Sequence, residues 1–189
     1  MKKKCGIILM AAGAIALVLA AGLQISNLRE DYKAEKESAK IITSLKKGME
    51  EERQIEENEE EEAYIQIDGR NYIGYLSIPS IGCELPVLSN WNYENLRVAP
   101  CRFSGSIAAK NLVVAAHNYD HHFGRLALIE PGETVVFTDV KGNTSKFTSV
   151  ETEELMPEEV DSMNDSGYEL TMFTCTYSGQ KRIAVRCRE

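Results

Sequence analysis

Three side chains in this sequence are of the types that nucleophilic acyl chemistry uses. Cys175 ends an apolar run, Leu170-Thr171-Met172-Phe173-Thr174-Cys175, and a six-residue turn separates it from Arg182-Ile183-Ala184-Val185-Arg186. If the two runs pair as a hairpin, Cys175 and Arg182 face each other at its open mouth. A guanidinium beside a thiol favours the thiolate. It can also hold the oxyanion of a tetrahedral intermediate. The third side chain, His117, closes another apolar run, Leu112-Val113-Val114-Ala115-Ala116. An imidazole near a cysteine can protonate a leaving amine and later deprotonate an incoming one. Taken singly, each residue has a plainer explanation. A strand-end cysteine is commonly an inert buried thiol, the histidine a polar boundary residue, and the arginine a surface charge.

Arg186 and Arg188 compete for the oxyanion role. Arg186 shares strand parity with Arg182 but lies four residues on, about 13 Å at roughly 3.3 Å per residue. Arg188 is farther still. Asp120, His121 and His122 with His117 resemble a metal cluster on paper. Adjacent histidines on a loop seldom converge on one ion, and no His-Glu-x-x-His pattern is present. The expectation is therefore solvent-facing or groove-edge histidines and no metal.

The elements that must position these residues begin at Tyr64. Tyr72–Ile78, Cys83–Val87, Asn111–Ala116, Thr134–Thr138, Lys146–Thr152, Glu169–Thr174 and Arg182–Cys187 read as short strands. Trp91–Val98 reads as one or two helical turns. Pro131-Gly132 and Lys141-Gly142-Asn143 are turn signals. Many short strands at this spacing predict a closed or sandwiched all-β domain of about 120 residues, spanning 64–189.

Two segments precede it. Lys2, Lys3 and Lys4 lead into an uncharged apolar run from Cys5 to Leu23. As a helix that run is roughly 28 Å long, close to the hydrocarbon thickness of about 30 Å. It exceeds the h-region of a cleaved leader, about 7–15 residues, and no polar c-region follows. Residues 1–23 are thus expected to be an uncleaved anchor that meets the membrane through residues 5–23. The lysines favour a cytoplasmic N-terminus, with the remainder outside the cell. Residues 24–63 are highly charged and contain no proline. Ile25, Leu28, Tyr32, Ala39 and Ile42 recur near heptad spacing, interrupted by Glu35. This predicts a solvated, partly helical stalk. The glutamate-dense run from Glu50 to Glu62 reads as a hydrated spacer.

The chain has 189 residues and a formal charge of −8. That charge argues against a nucleic-acid partner, which needs a basic surface. Of the five cysteines, four lie beyond the anchor: Cys83, Cys101, Cys175 and Cys187. No C-x-x-C pair marks a zinc site. With Cys175 catalytic, the other three are either buried thiols or one disulfide plus one thiol.

Taken together, the residues from Tyr72 to Cys187 resemble the sortases, cell-wall transpeptidases of Gram-positive bacteria. The resemblance rests on Thr174-Cys175 closing an apolar strand, on Arg182 opening the next, and on His117 after Val-Val-Ala-Ala. Ile73-Gly74-Tyr75-Leu76-Ser77-Ile78-Pro79, Leu85-Pro86-Val87 and Phe123-Gly124-Arg125-Leu126 support it. The order His, Cys, Arg is the family's order. Ala116 stands where sortases usually carry glycine, and Phe173 directly precedes Thr174 where a leucine is usual. The short segment from Val150 to Gly167 leaves no room for the long extra helix of class B. No Asp-Pro-aromatic lid precedes the domain. The resemblance therefore points to a compact class A, D or E-like enzyme.

The resemblance implies an eight-stranded β-barrel with short helices. It implies a substrate with a C-terminal sorting signal similar to Leu-Pro-x-Thr-Gly. Cys175 would be the nucleophile, His117 the general acid/base, and Arg182 the oxyanion and positioning residue. The acceptor would be an amine of a peptidoglycan precursor or of a pilin. No cofactor is implied. Two other readings stay open: a hydrolytic cysteine peptidase on the same scaffold, and a non-catalytic membrane-tethered adaptor.

Overall fold

The computed structural model describes residues 2–52, 63–164 and 166–189. Most of the glutamate-dense spacer, residues 53–62, lies outside the described residues. The chain forms two compact units, Met1–Lys33 and Ala34–Glu189.

Helix α1 spans Lys2–Glu52. In the first unit the apolar stretch from Met10 is exposed. Met10, Ile15, Leu17, Val18, Leu19 and Leu23 are all exposed. It is the one helix among the described residues long and apolar enough to cross a membrane.

In the second unit the same helix behaves differently. Ala34, Ser38, Ile41, Ile42, Leu45 and Met49 are buried. Their spacing of three and four residues puts them on one face. Ile41, Leu45 and Met49 join a cluster with Ile65, Tyr72, Leu88, Ala99, Cys101 and Val140. Lys46 closes the edge, with Nζ 2.9 Å from both carboxylate oxygens of Glu84. A solvated stalk over 24–63 does not anticipate this face. The expected stripe ran through Ile25, Leu28, Tyr32, Ala39 and Ile42. Of these only Ile42 is buried. The buried stripe is built partly on small residues, Ala34 and Ser38, which a hydrophobic pattern does not score. Its partner is the outside of the β-domain rather than another helix.

Nine strands follow: β1 (Ile65–Ile67), β2 (Arg70–Ile78), β3 (Cys83–Leu88), β4 (Cys101–Ser104), β5 (Leu112–Ala115), β6 (Thr134–Asp139), β7 (Thr144–Leu155), β8 (Leu170–Cys175) and β9 (Arg182–Arg188). Their order is β1-β2-β3-β4-β5-β8-β9-β7-β6, and β6 returns to pair with β2. Eight strands, β2 to β9, therefore close a barrel, as the resemblance implied. The short β1 is an extra strand paired with the first residues of β2. Closure needs Gly74, whose φ is +150°. A Cβ there would overlap the carbonyl oxygen of Thr138 on β6. Helices in this unit beyond α1 are short: α2 (Tyr93–Leu96) and α3 (Val160–Asn164).

The strands lining the site are buried on both faces. Leu112, Val114, Leu170, Met172, Val185 and Cys187 point into the barrel core. Val113, Ala115, Phe173 and Ala184 form a second cluster on the outer face with Leu155 and Met163. This double burial explains why these segments read as continuous apolar runs. Strands β1 and β4 escape sequence reading. The first has three residues, and the second, Cys-Arg-Phe-Ser, has no clean alternation.

If the α1 face belongs to the folded unit, Leu45→Ala should cost about 2–5 kcal/mol. Melting of the full-length chain in detergent, followed by circular dichroism, should show a clear drop in Tm. Leu28→Ala, on an exposed position, should leave Tm unchanged.

Candidate functional site

Strands β8 and β9 carry Cys175 and Arg182, and the neighbouring β5 ends two residues before His117. In the antiparallel pair β8–β9, Cys175 lies opposite Arg182. In the parallel pair β5–β8, Ala115 lies beside Phe173. Carrying that register two residues forward sets His117 beside Cys175. The alignment is held past the end of β5, because the Ala116 amide donates to the Phe173 carbonyl at 3.1 Å. The Thr174 hydroxyl, itself buried, donates to the Ala116 carbonyl at 2.9 Å. Adjacent strands are about 4.8 Å apart. The three positions thus form a row across one end of the sheet. By strand alternation they share the outer face with Val113, Ala115, Phe173 and Ala184.

Ala116 is absent from the described non-glycine residues with positive φ, which are Asp68 and Lys110. Alanine therefore fits there without the left-handed strain that would demand the glycine usual in sortases.

The turn after Cys175 is tied across its base. The Thr176 amide donates to the Lys181 carbonyl at 3.0 Å, and the Gly179 amide to the Thr176 carbonyl at 2.8 Å. Arg182 uses Nη1 to donate to the carbonyls of Gly179 and Lys181, at 3.2 and 3.1 Å. Asn118 Nδ2 donates to the Thr176 carbonyl at 3.5 Å, linking the His117 loop to the Cys175 turn.

Of the four described cysteines, Cys101 and Cys187 are buried, and Cys83 and Cys175 are partly exposed. Cys83, Cys101, Cys175 and Cys187 are all free, and Cys175 is half-exposed at its strand end. Burial pushes Cys83, Cys101 and Cys187 from their ordinary 9.0 up to about 12. They are neutral thiols at any physiological pH, and no disulfide joins them. Of the two arrangements the sequence left open, three free thiols without a disulfide is the one present, with Cys83 partly exposed rather than buried.

The rival arginines are engaged elsewhere. Arg186 is almost wholly buried. Its Nε lies 2.6 Å from Glu153, Nη1 donates to the Thr171 hydroxyl at 3.0 Å, and Nη2 to the Ser162 carbonyl at 2.7 Å. Arg188 packs over the Tyr168 ring at 4.6 Å. One expectation is corrected here. His122 does not face solvent or a groove edge but is 1% exposed. It packs under α1 beside Ser38, a neighbour 84 positions away that the sequence does not announce. His121 is exposed, 3.5 Å from Glu35.

Sequence reading missed an aromatic row on the same face. Phe173, two residues from Cys175, meets Phe103 edge-on at 5.2 Å. Phe103 meets Trp91 at 5.7 Å, and Trp91 meets Tyr93 at 5.3 Å. Recognising β4 as a strand would have brought Phe103 to this face.

The closed β-barrel thus sets positions 117, 175 and 182 in a row at one end of the sheet. A family model for the sortase domain matches residues 76–189. The chain belongs to the sortase family, whose members are cysteine transpeptidases. It is 26% identical over 178 residues to Sortase A of Bacillus anthracis, covering 86% of this chain and 84% of that one. Among solved structures it is similar to a Clostridium perfringens Sortase D5 transpeptidase. That match has a TM-score of 0.59 and 17% identity, over 82% of this chain and 98% of that one. It is also similar to C. perfringens sortase C with the C-terminal cell wall sorting motif. Here the TM-score is 0.55 and the identity 18%, over 78% and 88% of the two chains.

At pH 8, iodoacetamide should modify Cys175 in the folded protein while Cys83, Cys101 and Cys187 stay unlabelled, as read by peptide mapping. In denaturant all should react. The raised folded-state pKa values also set the sign of an alkaline effect. The stability these thiols contribute is intact below about pH 9 and is lost as pH climbs toward 12. Denaturation midpoints measured between pH 8 and 11 should fall, and should fall less in Cys101→Ala than in the parent chain.

Proposed function

We propose that this chain is a membrane-anchored sortase-type transpeptidase that joins secreted proteins bearing a C-terminal sorting signal to an amine acceptor. The observation that carries the reading is the row of positions 117, 175 and 182 on one face at one end of β5, β8 and β9.

The Cys175 sulfur attacks the carbonyl carbon of the threonine in a Leu-Pro-x-Thr-Gly-like signal. A C–S bond forms, and the carbonyl electron pair moves onto oxygen. Arg182 steadies that oxyanion and positions the substrate. Its Nη1 is anchored to the turn, while Nε and Nη2 make no hydrogen bond among the described residues. When the tetrahedral intermediate collapses, the C–N bond to glycine breaks. His117 gives its proton to the departing amine. An amine of a peptidoglycan precursor, or a pilin lysine, then attacks the thioester and His117 takes up its proton. Cys175 leaves as the thiolate, and a new amide remains. Both half-reactions are acyl transfers, so the chemistry needs no redox or organic cofactor.

The anchor suits this role. Residues 5–23 cross the bilayer with the N-terminus in the cytoplasm, and the barrel stands outside, where surface proteins emerge. The five-residue α3 between β7 and β8 supports a compact class A, D or E-like enzyme.

Incubating the full-length protein with a sorting-signal peptide and an amine nucleophile should yield the peptide–amine adduct, detected by mass spectrometry. Cys175→Ala should abolish it with the circular dichroism spectrum unchanged. Arg182→Ala should lower kcat/KM by roughly 10²–10³-fold, the scale for loss of an oxyanion donor. Full activity in Cys175→Ala would refute the mechanism. An amine-independent, carboxylate-ended product formed at the same rate would make the enzyme a hydrolase.

A further inference from the structure

His117 is the one member of the row that no strand holds. It lies beyond the end of β5, so the loop after it must orient its imidazole. That loop is tightly built. The Phe123 amide donates to the His117 carbonyl at 3.1 Å, and the His122 and Gly124 amides donate to the Tyr119 carbonyl at 2.9 and 2.8 Å. A Cβ on Gly124 would come within 2.7 Å of the Tyr119 oxygen and 2.8 Å of the Asn118 oxygen. Only glycine permits the loop to close so far.

Inside the loop the rings form a series. Tyr119 stacks on His117, with centroids 4.8 Å apart and planes 28° from parallel. The other neighbour of Tyr119 is His122, at 5.5 Å and 45°. His122 Nε2 lies 3.5 Å from the Ser38 hydroxyl on α1. Ser38 is 3% exposed and His122 1% exposed. A polar side chain at a buried helix position is unfavourable without a hydrogen-bonding partner, and His122 is that partner. Burial of Ile41, Leu45 and Met49 holds the helix against the domain. The exposed pair Glu35–His121, 3.5 Å apart, ties the same helix to the same loop.

We infer that Ser38, His122 and Tyr119 are positioning residues for the His117 imidazole, so that the docked part of α1 sets the geometry of the acid/base. The inference rests on the assignment of His117 given above. Proton transfer needs a ring held within hydrogen-bonding reach of the leaving amine. A displacement of about 1 Å can cost about 10²-fold in rate. The stalk side of the protein thereby becomes part of the active site's support.

The test uses the full-length chain in detergent micelles, with Tyr119→Ala, Tyr119→Phe and Ser38→Ala. Two readouts are taken. One is the His117 Cε1–H cross-peak in a proton–carbon NMR spectrum, assigned by its loss in His117→Gln. The other is kcat and KM for transfer of a sorting-signal peptide to an amine. Tyr119→Ala should shift the His117 peak downfield through loss of the stacked ring. It should lower kcat roughly tenfold or more, with KM little changed. Tyr119→Phe keeps the ring and should restore both. Ser38→Ala retains the apolar face of α1. It should move the His122 and His117 peaks and lower kcat severalfold, with Tm nearly unchanged. A His117 peak that stays put in Ser38→Ala, or a kcat left unchanged in Tyr119→Ala, would overturn the inference. If the parent enzyme showed no transfer, the proposed function would fall, while the NMR readout would still decide whether these residues position His117.

Discussion

The structure depends on the shared register of β5, β8 and β9. Strand β8 is parallel to β5 and antiparallel to β9. The three chains therefore bring one C-terminal strand end, a second C-terminal strand end and one N-terminal strand end to the same edge. A slip of one residue in either pairing would turn a side chain to the opposite face. Both faces of these strands are packed, so such a slip would expose apolar residues on one side and bury polar ones on the other. The Thr174 hydroxyl bond to the Ala116 carbonyl adds a side-chain lock where the backbone ladder of β5 ends. Packing on two sides and one buried hydrogen bond thus hold the site in register.

The second constraint is charge. Arg186 lies on the same strand face as Arg182, yet it is buried and bound to Glu153, Thr171 and the α3 segment between β7 and β8. A buried arginine is tolerated only when its donors are satisfied. Those bonds also pin α3, whose residues Ser162 and Met163 supply carbonyl acceptors. Arg182, at the strand's beginning, is bound only to its own turn. The two arginines differ in surroundings, not in chemistry. One staples the fold, and the other is left facing the cysteine's end of the sheet.

Helix α1 gives a different lesson. Before Ala34 its described large apolar residues are exposed. From Ala34 it carries a face that the β-domain covers. A hydrophobic pattern alone locates the first segment well, because an uninterrupted apolar run is a strong signal. It locates the second poorly, because that face includes Ser38 and Ala34 and is surrounded by lysines and glutamates. The domain's outer surface supplies what the pattern lacks: Tyr72 comes from β2, Leu88 from β3 and Val140 from the turn after β6.

The sequence by itself determined the strand segments other than β1 and β4, the chemical types at 117, 175 and 182, the hairpin that pairs Cys175 with Arg182, and the apolar helix at the N-terminus. All of these are local: an apolar run, its terminating residue and a short turn are readable within a dozen positions. Tertiary structure alone decided the parallel pairing of β5 with β8, which brings position 117 beside position 175. It also decided that Cys83, Cys101 and Cys187 are free thiols, that Phe103 and Trp91 join Phe173, and that His122 lies beneath Ser38. Each of these joins residues far apart in the chain through burial against a common surface. Burial is a property of the closed barrel, so no window of the sequence contains it.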